Sequence, residues 1–500
     1  MLRLGGAAYT SVRALTCTTR ESLSPAKLRM PLTPAPAQGG TSAGPRPRLR
    51  RALSLWDLFL YGVIVTSPVA PMSIYGIVSD RARGHVALII LLAMFAMLLT
   101  AVSYGRMARA HPSAGSAFAY VGQEINPAAG YVVGWSLVLD YILNPLICII
   151  WCSQQAHVFV ASIPYPAWAV LFAVLFTGLN VQGIKTSARV NAMLAGGIGI
   201  VVVIFLIAST LYILHHPHDT SGFFSQPFYD PHTWNRAGVL SATSVAVLTY
   251  MGFDAVSTLA EEAENPRKIL PATLLTCLGI GAISLLEVYS AQLVWGTTEH
   301  FPNVDTAFTF VAQRAWAPLF LVLGLTLIIA QIGSGIAAQL GAARVLYGMG
   351  RSGALPTLFF GAVEPKRRVP RNNVVFVGVL ALAGALILPL AASESTAYEL
   401  AVNLVNFGAL IAFMGVNAAA FMRYYVREEK KRWINFLQPV LGFLVCALLW
   451  WSLSTPSRLL GGAWMAFGIA YGAWKTRGFK SNLVNFEVPS DVLPVTLKAL

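Results

Sequence analysis

The chain has 500 residues, 56% of them hydrophobic and only 11% charged, with a formal net charge of +14. A soluble globular chain carries roughly a quarter charged residues, and a larger core would still need a wetted surface, so this composition excludes a soluble enzyme or binding domain and requires lateral surface that faces lipid. The basic residues recur in short clusters between apolar runs instead of forming one patch, which excludes nucleic acid as a partner.

Residues 1–52 differ from everything after them, being rich in Pro, Ala, Arg and Thr, with nine Lys/Arg against one acid, Glu21. They show no apolar period and read as an unstructured cytoplasmic tail that cannot bury enough surface to fold. An Arg-rich, acid-poor leader is also the composition of an organellar targeting peptide, and Met30 is an alternative start. From Trp56 onward, apolar stretches alternate with short polar links. Spanning takes about 20 residues, and the stretches fall near 56–79, 86–108, 128–156, 166–183, 190–214, 238–262, 270–296, 316–348, 373–391, 397–424, 437–454 and 458–475. The expectation is an all-α integral membrane protein of about twelve spans, with a transporter domain over 53–475 and a cytoplasmic tail over 476–500. Four of the five cysteines, Cys148, Cys152, Cys277 and Cys446, lie in apolar segments and read as buried free thiols; Cys17 lies in the tail.

Lys and Arg set the orientation. With the N-terminus inside, the inner segments carry 30 of the 35 basic residues, and the outer links carry only Arg81, Arg83, Arg236, Arg314 and Arg458. Both termini are therefore expected in the cytoplasm, with the chain in the cell (inner) membrane.

Two spans carry a break near mid-depth. In the first, Thr66-Ser67-Pro68-Val69-Ala70-Pro71 places two prolines where a helix should continue, each removing a backbone donor. In the sixth, Tyr250-Met251-Gly252-Phe253-Asp254 sets glycine beside an acid. Breaks five spans apart are the mark of an inverted-repeat carrier, and unwound backbone survives at that depth only if it lines a cavity. Ionisable groups well inside spans, away from their ends, are scarce: Asp140, Asp254 and Glu287. A charge at the bilayer centre costs about 2.5–3.5 kcal/mol even on insertion scales, so each is a functional candidate. Asp254 is the foremost, lying at a break, with Ser257, Thr258 and Glu261 continuing its stripe. Asp140 stands beside Tyr141, and Glu287 reads equally as a structural hydrogen-bond partner. The candidate substrate site is thus Thr66, Ser67, Pro68, Asp140, Tyr141, Tyr250, Gly252, Phe253, Asp254 and Ser257, with Glu261 and Glu262 as coupling or gating groups. Glu261, Glu262 and Glu264 beside Arg267 and Lys268 equally form a solvated, paired helix end. His215, His216, His218 and His232 cluster in the long outer link without cysteine or regular carboxylate spacing, and neither metal nor cofactor is expected.

Several stretches, taken together, resemble the amino acid–polyamine–organocation (APC) superfamily of permeases, from about Leu53 to Trp474, and among its members the bacterial putrescine importers. They are Leu53-Ser54-Leu55-Trp56, Ser103-Tyr104-Gly105-Arg106, Pro112 to Ala117, Gly134-Trp135-Ser136 through Asp140-Tyr141, Gly252 to Val256 with Glu261-Glu262, Asn265-Pro266-Arg267, Ala343 to Arg351 and Asn406 to Leu410. The resemblance implies a five-plus-five inverted repeat (about 53–214 and 238–424, with two further helices over 437–475). It implies alternating access, a small-molecule substrate held between spans 1, 3, 6, 8 and 10, proton coupling or exchange, and no enzymatic step. Two departures stand out. Many members open the first break with a Gly-Ser-Gly-like run whose amides hold a carboxylate, whereas Pro68-Val69-Ala70-Pro71 stands here. Some proton-coupled members carry a lysine in span five where Ile198 stands. The competing classes are an amino acid/amine exchanger, a membrane-embedded enzyme, for which no span as read here offers a histidine, and a channel, which would show symmetric rings of pore residues.

The charge asymmetry generates a direct test. Reporter fusions in the Arg423–Arg432 link are expected to report cytoplasm; exposure of that link outside the cell overturns the orientation.

Overall fold

The computed structural model describes residues 53–112, 116–183, 188–216, 222–261, 263–296, 300–351, 355–364, 367, 369–391, 394–428 and 431–479, with only the backbone described at 188–195, 261, 391 and 394–396. All of them belong to one unit, Leu49–Leu500, and the expected N-terminal tail, Cys17, Glu262 and His218 lie outside them.

Span one is two helices, α1 (Leu55–Thr66) and α2 (Ala70–Ala82), and span two is α3 (Val86–Ala110). A short helix, α4 (Ser116–Glu124), leads into spans three to five: α5 (Pro127–Phe159), α6 (Tyr165–Gln182) and α7 (Ala188–His215). Span six is α8 (Arg236–Ala246) and α9 (Ala255–Thr258), and span seven is α10 (Ile269–Trp295). After α11 (Ala307–Ala315) comes span eight, α12 (Leu319–Arg351); after α13 (Thr357–Phe360) come α14 (Arg371–Ala391), α15 (Glu394–Phe421), α16 (Trp433–Trp451) and α17 (Thr455–Lys475). Among the described residues ten helices are long and apolar enough to cross a membrane, and the α1–α2 pair, bent by 50°, makes an eleventh. The expected twelfth, α17, is 21 residues long but less apolar, and docks through small residues. Gly468 and Gly472 lie against the rings of Trp135 and Tyr131 on α5, whose Nε1 and hydroxyl donate to the carbonyls of Trp464 and Gly468.

Local chemistry sets the ends. Ser54 and Asp57 form a capping box that starts α1. Asn126 caps α5 just before Pro127. Pro71, expected to help break span one, instead sits in the first turn of α2, where a proline costs nothing because that amide has no helical partner. The short α4, α11 and α13 escape a reading based on spanning length. In span six regular α-helix already ends at Ala246, earlier than Gly252 implied, and 3₁₀ turns at Val247–Tyr250 and Leu259–Glu261 flank α9.

The inmost helix is α5, enclosed by α4, α6, α12, α14, α15 and α17. At the face where α1 begins, the N-terminal face, Leu53 pairs with Ala263, and the amide of Glu264 donates to the Leu53 carbonyl at 3.1 Å. On the same face Glu124, its side chain 1% exposed, accepts from Arg423 and Arg427 at 2.7 Å each and is bonded to His111. A π-helical turn at Met422–Val426 carries Arg423, and Arg427 closes it by donating to the Met422 carbonyl. Burial by itself pushes the Glu124 carboxyl up, but the bonds and charges of His111 and Arg423 hold it below the usual carboxylate range.

Glu124 thus ties α3, α4 and α15 together. Replacing it by Ala leaves two arginines that can still reach water, so the cost is set at about 1–3 kcal/mol, measured as lost thermal stability in detergent. The stabilisation from a depressed carboxyl is present above its unfolded-state pKa and is lost as pH falls through the lower folded value. The wild-type protein is therefore expected to lose stability on acidification below the ordinary glutamate range, and Glu124→Gln to lose less over that window.

Candidate functional site

The two breaks meet. Gly252 has φ +114°, and a Cβ there would lie 3.0 Å from the Thr66 amide nitrogen and 3.1 Å from Val65 Cγ1. Ser67, closing α1, has φ +62°, a left-handed value unusual for a residue with a side chain. Its amide donates to Val63 O, and Ala70 N donates back to Ser67 O at 3.1 Å. Each break therefore holds one positive-φ residue, strain of the kind found at binding sites, and the two are stacked. Gly62 extends the contact, because a Cβ there would meet Thr276 of α10 and Val256 of α9.

Around the stacked breaks lies a cluster of acids and tyrosines. Tyr141 is 41% exposed although α5 is enclosed by other helices; its ring faces Gly341 of α12, and it interacts electrostatically with Asp140, Asp254 and Tyr61. Asp140 and Asp254 are half-buried and act on one another. Residues of spans one, three, six and eight thus come together at one place, where charge interactions exceed those in bulk water. Asp254's carboxylate sits against the backbone amides of Gly252, Asp254 and Ala255 without forming a full cap bond to α9. Farther along, Cys148 Sγ lies 3.4 Å from Gln331 Oε1 and 3.8 Å from Asn144 Oδ1.

The remaining expected site residues are placed differently. Tyr250 is fully buried, its hydroxyl donating to the Ile90 carbonyl at 3.0 Å. Phe253 is fully buried between Tyr104 and Phe413, at centroid distances of 5.6 and 5.4 Å, so its faces are occupied by protein. Ser257 is buried, with Ser116 Oγ 3.1 Å away and Tyr120 against it. Thr66 is buried under Gly252, and Pro68 stands in the gap between α1 and α2. The Glu261 side chain and all of Glu262 lie outside the described residues. His215 and His216 place their Nδ1 atoms against the Leu211 and Tyr212 carbonyls one turn back. Sequence reading missed Tyr61, Tyr104 and Tyr120, which have no charge or break to mark them. It also missed the tie at the opposite face, where Arg81 pairs with Glu399 of α15 and reaches Ser241 of α8.

A membrane-spanning bundle with two broken helices stacked beside paired acids has the build of a carrier. The comparisons agree: the amino acid permease family model matches residues 67–486. The chain is 31% identical to the low-affinity putrescine importer PlaP of Escherichia coli, over 88% of this chain and 97% of that one. It is 26% identical to the branched-chain amino acid permease BcaP of Bacillus subtilis, over 84% and 92%, and 29% identical to the vacuolar cationic amino acid transporter 4 of Arabidopsis thaliana, over 76% and 64%. The chain belongs to the amino acid permease family of the APC superfamily. It is a multi-pass membrane protein and a secondary transporter, not an enzyme.

The contact between breaks can be tested at Gly252. Gly252→Ala adds a Cβ at a strained φ against the Thr66 backbone, a cost of about 1–3 kcal/mol, and is expected to lower both thermal stability and transport several-fold. Gly462→Ala, where a Cβ meets nothing within 4 Å, serves as the tolerated control.

Proposed function

We propose that the chain is a proton-coupled importer of an amine, either a polyamine such as putrescine or an amine-bearing amino acid, working by alternating access across the cell (inner) membrane. The observation that carries this is the pair Asp140 and Asp254, close enough to act on one another: among the described residues Asp140 is acted on by burial and by Asp254, and by no lysine or arginine. Two acids without a resident cation favour a cationic guest, because each charged form stabilises the other in a low-dielectric site. The first break supports the same choice, since Pro68 has no amide to offer a substrate carboxylate. Two of the relatives have names that denote cationic cargo, putrescine and cationic amino acids.

The N-terminal face is assigned to the cytoplasm on the distribution of Lys and Arg. The opposite, external face is closed in this arrangement: α2 is buried over Pro71–Ser79, Arg81 holds Glu399 and Ser241, and Ser79 and Tyr75 donate to Gln292 of α10. By contrast α1 buries only Leu58, Gly62 and Thr66, which supports an inward-facing reading with α1 as the looser half. Glu261 and Glu262 remain gating candidates at that end. Repeats over about 53–214 and 238–424 are proposed as the units that rock against each other.

In proteoliposomes, putrescine or an amine-bearing amino acid is expected to drive saturable counterflow and to outcompete glutamate; better competition by glutamate overturns the amine reading. Asp254→Asn keeps size and hydrogen bonding while removing the charge. A charge-assisted bond contributes about 1.5–3 kcal/mol, so substrate affinity is expected to fall roughly 10- to 100-fold in equally expressed protein, with a flattened pH dependence of uptake. Unchanged affinity and pH dependence reduce Asp254 to a residue that ties its broken helix.

A further inference from the structure

Of the three acids that the sequence sets well inside spans, Glu287 lies outside the proposed transport site. Glu287, about two turns from the end of α10, is 0% exposed, and neither carboxylate oxygen has a hydrogen-bond partner. The structural role open to it from sequence, donating to or accepting from a neighbour, is therefore not the one it plays. An ionised carboxylate in a low-dielectric interior is costly unless it is paired, so in this arrangement Glu287 holds a proton. No other titratable group acts on it; burial is the sole influence. On the elements packed against α10, Tyr61, Tyr75, Tyr104, Tyr212, Tyr250 and Arg314 are the titratable groups set back from the helix ends or beside α10. Tyr75 is bonded to Gln292, Tyr250 to the Ile90 carbonyl, and Arg314 stacks over Trp295. The other titratable groups of those elements lie at their ends.

The face of α10 that carries Glu287 connects it to the site. Cys277, Gly281, Ser284, Glu287 and Ala291 recur at helical spacing along that buried face. Cys277 interacts electrostatically with Asp254, a Cβ at Gly281 would lie 3.2 Å from the Tyr250 hydroxyl, and Ser284 Oγ is buried without a partner. In the other direction Gln292 receives Ser79 and Tyr75 of α2. Glu287 therefore stands between the span-six break and the seam where α2 closes on α10.

We propose that Glu287 is a proton-binding site of the transport cycle, holding its proton while α2 is packed on α10 and releasing it when that seam opens to water. This rests on the proton-coupled reading above and adds the group that carries the proton. The proton moves on and off one carboxylate oxygen, and no bond other than O–H is made or broken. Opening supplies the hydration that lets the carboxylate ionise, so protonation and closure are linked.

Two measurements test it, one of them independent of substrate. The infrared difference between purified wild type and Glu287→Gln at neutral pH is expected to show a protonated carboxyl C=O band belonging to the wild type; its absence overturns the assignment whatever the cargo is. In proteoliposomes, an imposed inward proton gradient is expected to drive putrescine accumulation by the wild type, with Glu287→Gln losing at least ten-fold of that gain while counterflow stays measurable, and Glu287→Asp recovering part of it. A Glu287→Gln protein that still accumulates substrate like the wild type overturns the inference and leaves the amine reading standing. Absence of putrescine counterflow in the wild type strikes the amine reading and leaves the infrared test to decide Glu287. If Glu287→Gln does not insert, Glu287→Asp decides: a displaced carboxyl band and shifted pH midpoint of uptake are expected, and unchanged values overturn the proposal.

Discussion

Backbone in the hydrocarbon core must find its hydrogen-bond partners within the protein, and each of the two broken helices does so through tight turns of its own, Ser67 N to Val63 O and Met251 N to Leu248 O, while the two breaks pack against one another. Gly252 can approach the Thr66 backbone only because it has no Cβ, and Ser67 turns through a left-handed conformation to let α2 leave at 50° to α1. This packing brings Asp254 beside Asp140 and Tyr141, with Tyr61 of span one and Gly341 of span eight at the same place. The position of α10, which touches both broken spans, follows as well.

The two faces of the bundle are fastened by different means. At the face where α2 ends, a charged tie from Arg81 and a buried polar seam from α2 to Gln292 hold short half-helices together. At the N-terminal face, the buried Glu124 fastens α3, α4 and α15, but α1 itself is held chiefly through α10, α9 and the Leu53–Ala263 pairing. A half-helix with three buried residues out of twelve can move at less cost than one buried over most of its length. Alternating access needs this asymmetry: a firm scaffold around α5 and lighter elements flanking the breaks.

Most spans were legible because lipid imposes a length and a composition on a helix, and α3, α5 and α12 end within a few residues of where hydropathy places them. The existence of both breaks was legible from Pro68 and from Gly252 beside Asp254. Their extent was not, because span six leaves α-helical geometry at Val247, within an ordinary apolar run. The short α4 and α11 lie below spanning length and carry no hydropathy signal. Within the site, Asp140, Tyr141 and Asp254 come together as their scarcity in apolar segments indicates. Tyr250 and Phe253 carried the same signal by adjacency, yet their rings point into protein, since helix phase is lost across a 3₁₀ turn and a positive-φ glycine.

The chain's own chemistry thus determined that it spans a membrane, where two helices cannot continue, and which acids stand within apolar segments. Those properties are local, arising from hydropathy, side-chain charge and the lack of a proline amide. Tertiary structure alone decided which groups share a space: Glu124 with arginines some 300 residues away, Arg81 with Glu399, and Asp140 with Asp254. It also separated two acids that look alike in sequence, setting the half-buried Asp254 against backbone amides and the fully buried Glu287 without a hydrogen-bond partner. The physical reason is that the energy of a buried charge depends on what surrounds it in three dimensions, and packing between helices distant in the chain supplies those surroundings.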